Sequence, residues 1–253
     1  MIKLTDSHTH VLPSDVSNYQ EIIEQLSQNN IKRIVVNGYN AKTNKEVVEL
    51  VNEYSNVYGA LGFHPDNIAE ITEDSLNYIE ENLANPKIIA IGEIGLDYFH
   101  NKENKEAQIS LLEKFLKLSE KTNKPVIIHS REATQDLIET LKKYHTKGII
   151  HCFNGSKETA NIFIKLGYKL GIGGVITFKN CKLKEEIKDI SVTNFLLETD
   201  APYLTPEPFR GKPNEPKYMI YTLKTLSEAL NTDESSLSDI LEDNFQDLFD
   251  IKD

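Results

Sequence analysis

The sequence predicts an α/β chain folded as a single (β/α)8 barrel of the TIM type with a C-terminal helix, one catalytic domain over residues 1–253. Three observations carry that expectation. Eight short apolar runs rich in β-branched residues recur along the chain, and polar segments with helical spacing fill the gaps between them. The place after the first run, where an open doubly wound sheet usually carries a Gly-rich nucleotide loop, holds Asp6-Ser7-His8-Thr9-His10 instead. A length of 253 residues is also near the upper limit for one hydrophobic core and suits a barrel.

Taken in order, the apolar runs span residues 2–10, 31–38, 57–63, 87–95, 125–129, 148–153, 168–175 and 194–199. They lack strict apolar–polar alternation, the pattern of strands buried on both faces as in a parallel sheet. Between them, Leu111, Leu112, Phe115, Leu116 and Leu118 fall at helical spacing, as do Leu137, Ile138 and Leu141, and later Leu223, Leu226 and Leu230. Residues 201–216 hold Pro202, Pro206, Pro208, Pro213 and Pro216 and predict an ordered loop after the eighth strand, because proline neither donates to a ladder nor sits inside a helix. Residues 233–249 predict one or two helices closing the bottom or side of the barrel.

Composition narrows the function. No stretch of about 18 apolar residues exists to span a membrane. The N-terminus reaches polar residues at once, which argues against a secretory leader. Cys152 and Cys181 are too few for a disulfide scaffold, so a reducing, cytoplasmic setting is expected. The sequence leaves the oligomeric state open, with a monomer favoured. The net charge of −11, from 28 basic and 39 acidic residues, excludes a protein that coats nucleic acid by neutralising phosphates. It leaves room for an enzyme that handles a polyanion through a local cluster of metal ions, Arg and Lys.

The polar residues at the strand ends supply such a cluster. His8 and His10 end the first strand, and His64 follows the third. Glu93, His129 and His151 lie at the ends of the fourth, fifth and sixth, and Asp200 follows the eighth. In a parallel barrel all of these ends meet at the C-terminal rim, where barrel active sites lie. The i, i+2 spacing of His8 and His10 puts both imidazoles on one face, able to chelate one divalent ion. A lone His-x-His is a weak signal; the convergence is the strong one. Glu93, enclosed by apolar and glycine residues, is costly to bury unless it meets a cation. Its two oxygens can bridge two ions about 3.5–4 Å apart, or it can pair with Arg131 or a lysine. His129 and His151, each emerging from a β-branched run, face Glu93 as ligands of a second ion. Asp200 can ligate and accept a proton from water, or cap the turn that begins at Ala201. His64 is a candidate for orienting a phosphate. Arg131, Arg210 and Lys212 bring positive charge to the same rim, where a guanidinium fork suits phosphate oxygens. His100 and His145 are expected on the surface without partners. Cys152 is expected to point to the other face of its strand from His151, as a core thiol.

These motifs together resemble the TatD-type metal-dependent deoxyribonucleases, relatives of the amidohydrolase barrels. The matching segments are Asp6-Ser7-His8-Thr9-His10, Gly62-Phe63-His64-Pro65, Gly92-Glu93-Ile94-Gly95-Leu96-Asp97-Tyr98, and Pro125-Val126-Ile127-Ile128-His129-Ser130-Arg131. They continue through His151-Cys152-Phe153-Asn154-Gly155, Glu198-Thr199-Asp200-Ala201-Pro202-Tyr203-Leu204 and Arg210-Gly211-Lys212-Pro213-Asn214-Glu215-Pro216, in the family's order and over essentially the whole chain. The resemblance implies that His8, His10 and Asp200 hold one divalent ion, that His129 and His151 hold a second, and that Glu93 is shared. It also implies 3′ to 5′ exonuclease activity on DNA, at single strands or 3′ ends. No ligand position departs from the pattern. Asn154 stands where the family usually has Ser or Thr, and it is a candidate substrate contact. Mixed imidazole and carboxylate ligands suit Zn, Mn or Co better than Mg. The alternative activity is metal-dependent hydrolysis of a small ester, lactone or amide, which the acidic net charge favours slightly. A non-catalytic binding barrel would instead be metal-free.

Overall fold

The eight apolar runs become eight strands in the computed structural model, which describes residues 2–252. They are β1 (Leu4–Thr9), β2 (Ile31–Asn37), β3 (Val57–Leu61), β4 (Ile88–Asp97), β5 (Val126–Arg131), β6 (Gly148–Ile150), β7 (Tyr168–Ile172) and β8 (Phe195–Leu197). Each pairs in parallel with the next in chain order, the arrangement of a TIM-type (β/α)8 barrel. The seam between β8 and β1 is closed beside the mouth. There Asp200 N–H donates to the His8 carbonyl at 3.0 Å, and His10 N–H donates to the Ala201 carbonyl at 2.7 Å.

Helices alternate with the strands: α1 (Tyr19–Glu24), α2 (Ala41–Glu53), α3 (Glu73–Asn82), α4 (Lys105–Thr122), α5 (Thr134–Leu141), α6 (Lys157–Lys165), α7 (Leu183–Ile187), α8 (Met219–Leu230) and α9 (Glu234–Phe249). Most periodic apolar positions of α4, α5 and α8 are buried, among them Leu112, Phe115, Leu137 and Leu223, while Leu118 and Leu230 are partly buried. The closing segment forms one helix, α9, started by the Asp233 side chain just before it accepting from Ser235 N–H.

Two apolar clusters result. The larger lies between the strands and the surrounding helices. The smaller gathers Val35, Ala60, Ile89, Ala90, Ile127, Ile149 and Leu196 and is plugged by Phe245, Leu248 and Phe249 of α9. This inner cluster sets the direction of the site. Ile127 and His129, Ile149 and His151, and Leu196 and Glu198 are two residues apart, so each polar member follows its apolar partner on the same face. The inside of the barrel is therefore apolar at the α9 end and ionisable at the other.

Strand ends differ from expectation in both directions. β4 and β5 run on to Asp97 and Arg131, because Gly95 pairs with His129 and Asp97 with Arg131. A Cβ on Gly95, whose φ is 151°, would meet the His129 carbonyl oxygen at 2.0 Å, so only glycine lets the two backbones approach there. β6 stops early, at Ile150. Cys152 consequently lies in a turn at φ 48° rather than on the far face of a strand, and its N–H donates to Glu198. The proline-rich segment has no helix or strand through Glu215 and is ordered. Asn214 donates to the Thr199 and Tyr203 carbonyls at 2.8 and 2.7 Å, and Pro216 opens the turn that leads into α8. No helix among the described residues is long and apolar enough to cross a membrane.

Candidate metal centre

Glu93 sits at the middle of the mouth, and its partners are imidazoles rather than Arg131 or a lysine. His10 Nε2 lies 3.2 Å and His8 Nε2 3.6 Å from its Oε2. His129 Nδ1 and His151 Nε2 lie 2.9 and 3.0 Å from its Oε1, with His64 Nε2 farther, at 3.9 Å. Asp200 completes the first group, its Oδ1 being 3.3 Å from His8 Nε2 and 3.6 Å from His10 Nε2. The structure thus brings together His8 of β1, Glu93 of β4 and His129 of β5 with His10, His151 and Asp200, which follow β1, β6 and β8.

This donor set fits divalent ions. Around His8, His10, Glu93 and Asp200 the donor atoms stand 3.2–3.6 Å apart, and those of Glu93, His129 and His151 stand 2.9–3.2 Å apart. Tetrahedral ligands held about 2.0–2.1 Å from one ion are separated by about 3.3 Å. The outward ring nitrogens agree. His10 Nδ1 donates to the Asn37 carbonyl at 3.1 Å and His129 Nε2 to Asp97 at 3.1 Å, so the inward nitrogen of each ring is the one that would turn its lone pair to a bound cation. His8 and His151, whose rings stack with centroids 4.0 Å apart, have no hydrogen-bond partner for Nδ1 among the described residues.

Burial alone would raise the Glu93 carboxyl, but His151, His10 and His129 beside it outweigh that and hold it well below its usual range. Burial opposes a proton on His151 too, yet the carboxylates of Glu93 and Glu198 push it well above its usual value. At His8 burial prevails, with His151 adding to it, and the pKa falls. The cluster therefore trades protons internally, and a bound cation would take their place. His64 is lowered to about 4 by burial, so it is a neutral imidazole at neutral pH. Its Nδ1 accepts from the Asp66 N–H, which leaves a donor on Nε2 facing the cavity.

The cavity over this cluster is lined by His10, His64, Glu93, His129, His151 and Asp200 with Tyr39, Asp66, Asn67, His100, Arg131 and Tyr203. Of the four substrate contacts expected from the sequence, Arg131, Arg210, Lys212 and Asn154, only Arg131 is in that lining. Arg210 lies 4.0 Å over the Phe178 ring and Lys212 5.5 Å over the Phe209 ring, while Asn154 meets the Cys181 thiol at 3.5 Å. His145 is exposed as expected. His100 departs from expectation: it borders the cavity, and its Nδ1 donates to Asp97 at 2.9 Å.

Three buried carboxylates support the cluster, and nothing singled them out in the sequence beyond their places beside the motif residues. Asp97 backs His129. Glu198 lies with Oε1 3.8 Å from His151 Nδ1, in a space that exists because position 171 is glycine; a Cβ there would meet Glu198 Oε2 at 2.1 Å. Asp6 accepts from Thr199 Oγ1 at 2.6 Å and from Thr199 N–H at 3.0 Å, tying β1 to the turn that carries Asp200. Burial pushes its carboxyl up to about 8.

Comparison with known proteins agrees with this architecture. The TatD-related DNase family model matches residues 5–250. The metal-dependent hydrolase YabD of Bacillus subtilis is 38% identical over 251 residues, covering 97% of this chain and 98% of that protein. The metal-dependent hydrolase YjjV of Escherichia coli is 32% identical over 255 residues, covering 98% of each. The crystal structure of E. coli YjjV, a TatD homologue, superposes with a TM-score of 0.92 over 98% of each chain at 32% identity. The chain belongs to the TatD-related DNase family of metal-dependent hydrolases.

Proposed function

We propose that this chain is a single-domain phosphodiesterase that removes nucleotides from the 3′ ends of DNA with two divalent ions at the barrel mouth. The observation that carries the proposal is the Glu93 carboxylate, with two imidazoles on one oxygen, two on the other, and Asp200 joining the first pair. His8, His10 and Asp200 would hold one ion, His129 and His151 the other, and Glu93 would serve both. Zn, Mn or Co suits these donors better than Mg. When bound, such ions stabilise charge on phosphoryl oxygens and make water more acidic.

The chain's own groups then have distinct tasks. Asp200, the more accessible of the two carboxylates at 13% of its side chain, would accept a proton from the attacking water. His64, neutral, offers the Nε2 donor to a phosphoryl oxygen. Arg131 adds a fixed positive charge at the cavity edge. Arg210, Lys212 and Asn154 would act on parts of the substrate beyond the cavity. The free thiols of Cys152 and Cys181 support a reducing, cytoplasmic setting.

The net charge of −11 favours a second reading, hydrolysis of a small ester, lactone or amide. A panel of a single-stranded oligonucleotide, bis(p-nitrophenyl) phosphate and simple lactones, each with and without chelator, separates the two. Chelator-sensitive release of mononucleotides from the 3′ end is the expected result. Lactone turnover without phosphodiester cleavage would favour the small-substrate reading, and activity indifferent to chelator would contradict both.

A further inference from the structure

Two aromatic side chains stand more than half in solvent, and both follow strands whose ends form the mouth. Phe99 is 54% exposed and Tyr203 is 55% exposed, the two largest exposures among the large apolar side chains described. Phe99 follows β4 and Tyr203 follows β8. In an eight-stranded barrel these strands lie across the mouth from one another. Tyr203 lines the cavity over the Glu93 cluster, and Phe99 stands against Arg131, which borders that cavity.

Neither ring is on a loose loop. Phe99 N–H donates to Asp97 at 2.9 Å, and the Arg131 guanidinium lies 3.8 Å from its ring centroid. Tyr203 N–H donates to the Asp200 carbonyl at 2.8 Å, while its own carbonyl accepts from Asn214 at 2.7 Å. The backbone that carries each ring is therefore tied to a residue of the cluster or its support.

We propose that Phe99 and Tyr203 stack on unpaired nucleobases on either side of the phosphodiester held at the cluster. The inference rests on the phosphodiesterase reading and deepens it by assigning a base-binding subsite. A chain of net charge −11 gains little from neutralising phosphates away from the metal cluster and Arg131, so contacts that need no charge are the ones left to add affinity there. Base–aromatic stacking is such a contact, and it tolerates any sequence because every base has a π face. Bases inside a duplex are already paired and stacked, so this subsite selects single strands and frayed ends.

The test compares a single-stranded oligonucleotide with one of equal length whose terminal nucleotides lack bases, measuring KM for cleavage. Anisotropy on phosphorothioate versions that resist cleavage gives binding separately. Wild-type protein should prefer the base-bearing oligomer by about 5-fold or more per stacked base. Phe99→Ala and Tyr203→Ala should each pull the ratio of the two KM values toward one, with Phe99→Tyr and Tyr203→Phe restoring it. Equal KM values in the wild type, or a ratio unmoved in both alanine variants, would overturn the subsite. If neither oligomer is cleaved but the base-bearing one still binds in a Phe99- and Tyr203-dependent way, the hydrolytic reading fails and the subsite stands. Absence of binding would defeat both.

Discussion

Asp97 accepts four hydrogen bonds, from His129 Nε2, from His100 Nδ1, and from the N–H groups of Phe99 and His100. Its carboxylate holds the His129 Nε2 proton, so that Nδ1 would offer its lone pair to a cation held beside Glu93. Asp97→Asn keeps the size of the side chain but offers an amide where His129 needs an acceptor. Metal affinity should then fall about 10- to 100-fold with the fold intact, read by calorimetric titration of metal into the stripped protein. Unchanged affinity would mean that His129 needs no such support. At this scale the imidazoles and carboxylates of the centre were legible, because each emerges from an apolar run where a polar side chain is costly without a partner. Their supports were not. Asp97 meets His129 across 32 positions of sequence, and only the Gly95–His129 register shows that they touch. His100 was missed for the same reason, being bound to a residue whose own direction was unknown.

The elements were legible as a sequence of eight runs, since strands buried on both faces are continuous apolar stretches. Their ends were not, because pairing with a neighbour decides them: β4 lasts as long as β5 stays beside it, and β6 stops where the chain turns at Cys152. The closing helix adds an electrostatic tie. Glu242 of α9 accepts from Thr5 of β1 and from Lys32 and Arg33 of β2 at 2.6–2.8 Å. Burial would raise its carboxyl, but Lys32, Thr5, Gln246 and Arg33 outweigh burial and lower it. A carboxyl lowered in the folded state contributes stability above its unfolded value of 4.5 and loses that contribution as pH falls through the folded value. Glu242→Gln should accordingly cost about 1–2 kcal/mol near neutral pH and less near pH 4, by urea unfolding at both. A deficit of equal size at the two pH values would contradict the tie.

At the scale of the whole molecule, parallel order around a closed sheet turns residues scattered from His8 to Asp200 into one centre. That convergence followed from the apolar runs and the position of each polar residue after them. What surrounds the centre did not follow, because loop paths decide it: Arg131 borders the cavity while Arg210, Lys212 and Asn154 are not in its lining. The family's metal dependence and the donor geometry make one measurement decisive, the metal content of protein purified without added metal, wild type beside Glu93→Ala. The wild type should carry close to two divalent ions per chain, and the variant, still folded by circular dichroism, should lose at least one of them. Metal-free wild-type protein, or a variant that keeps the full complement, would contradict a shared centre built on Glu93.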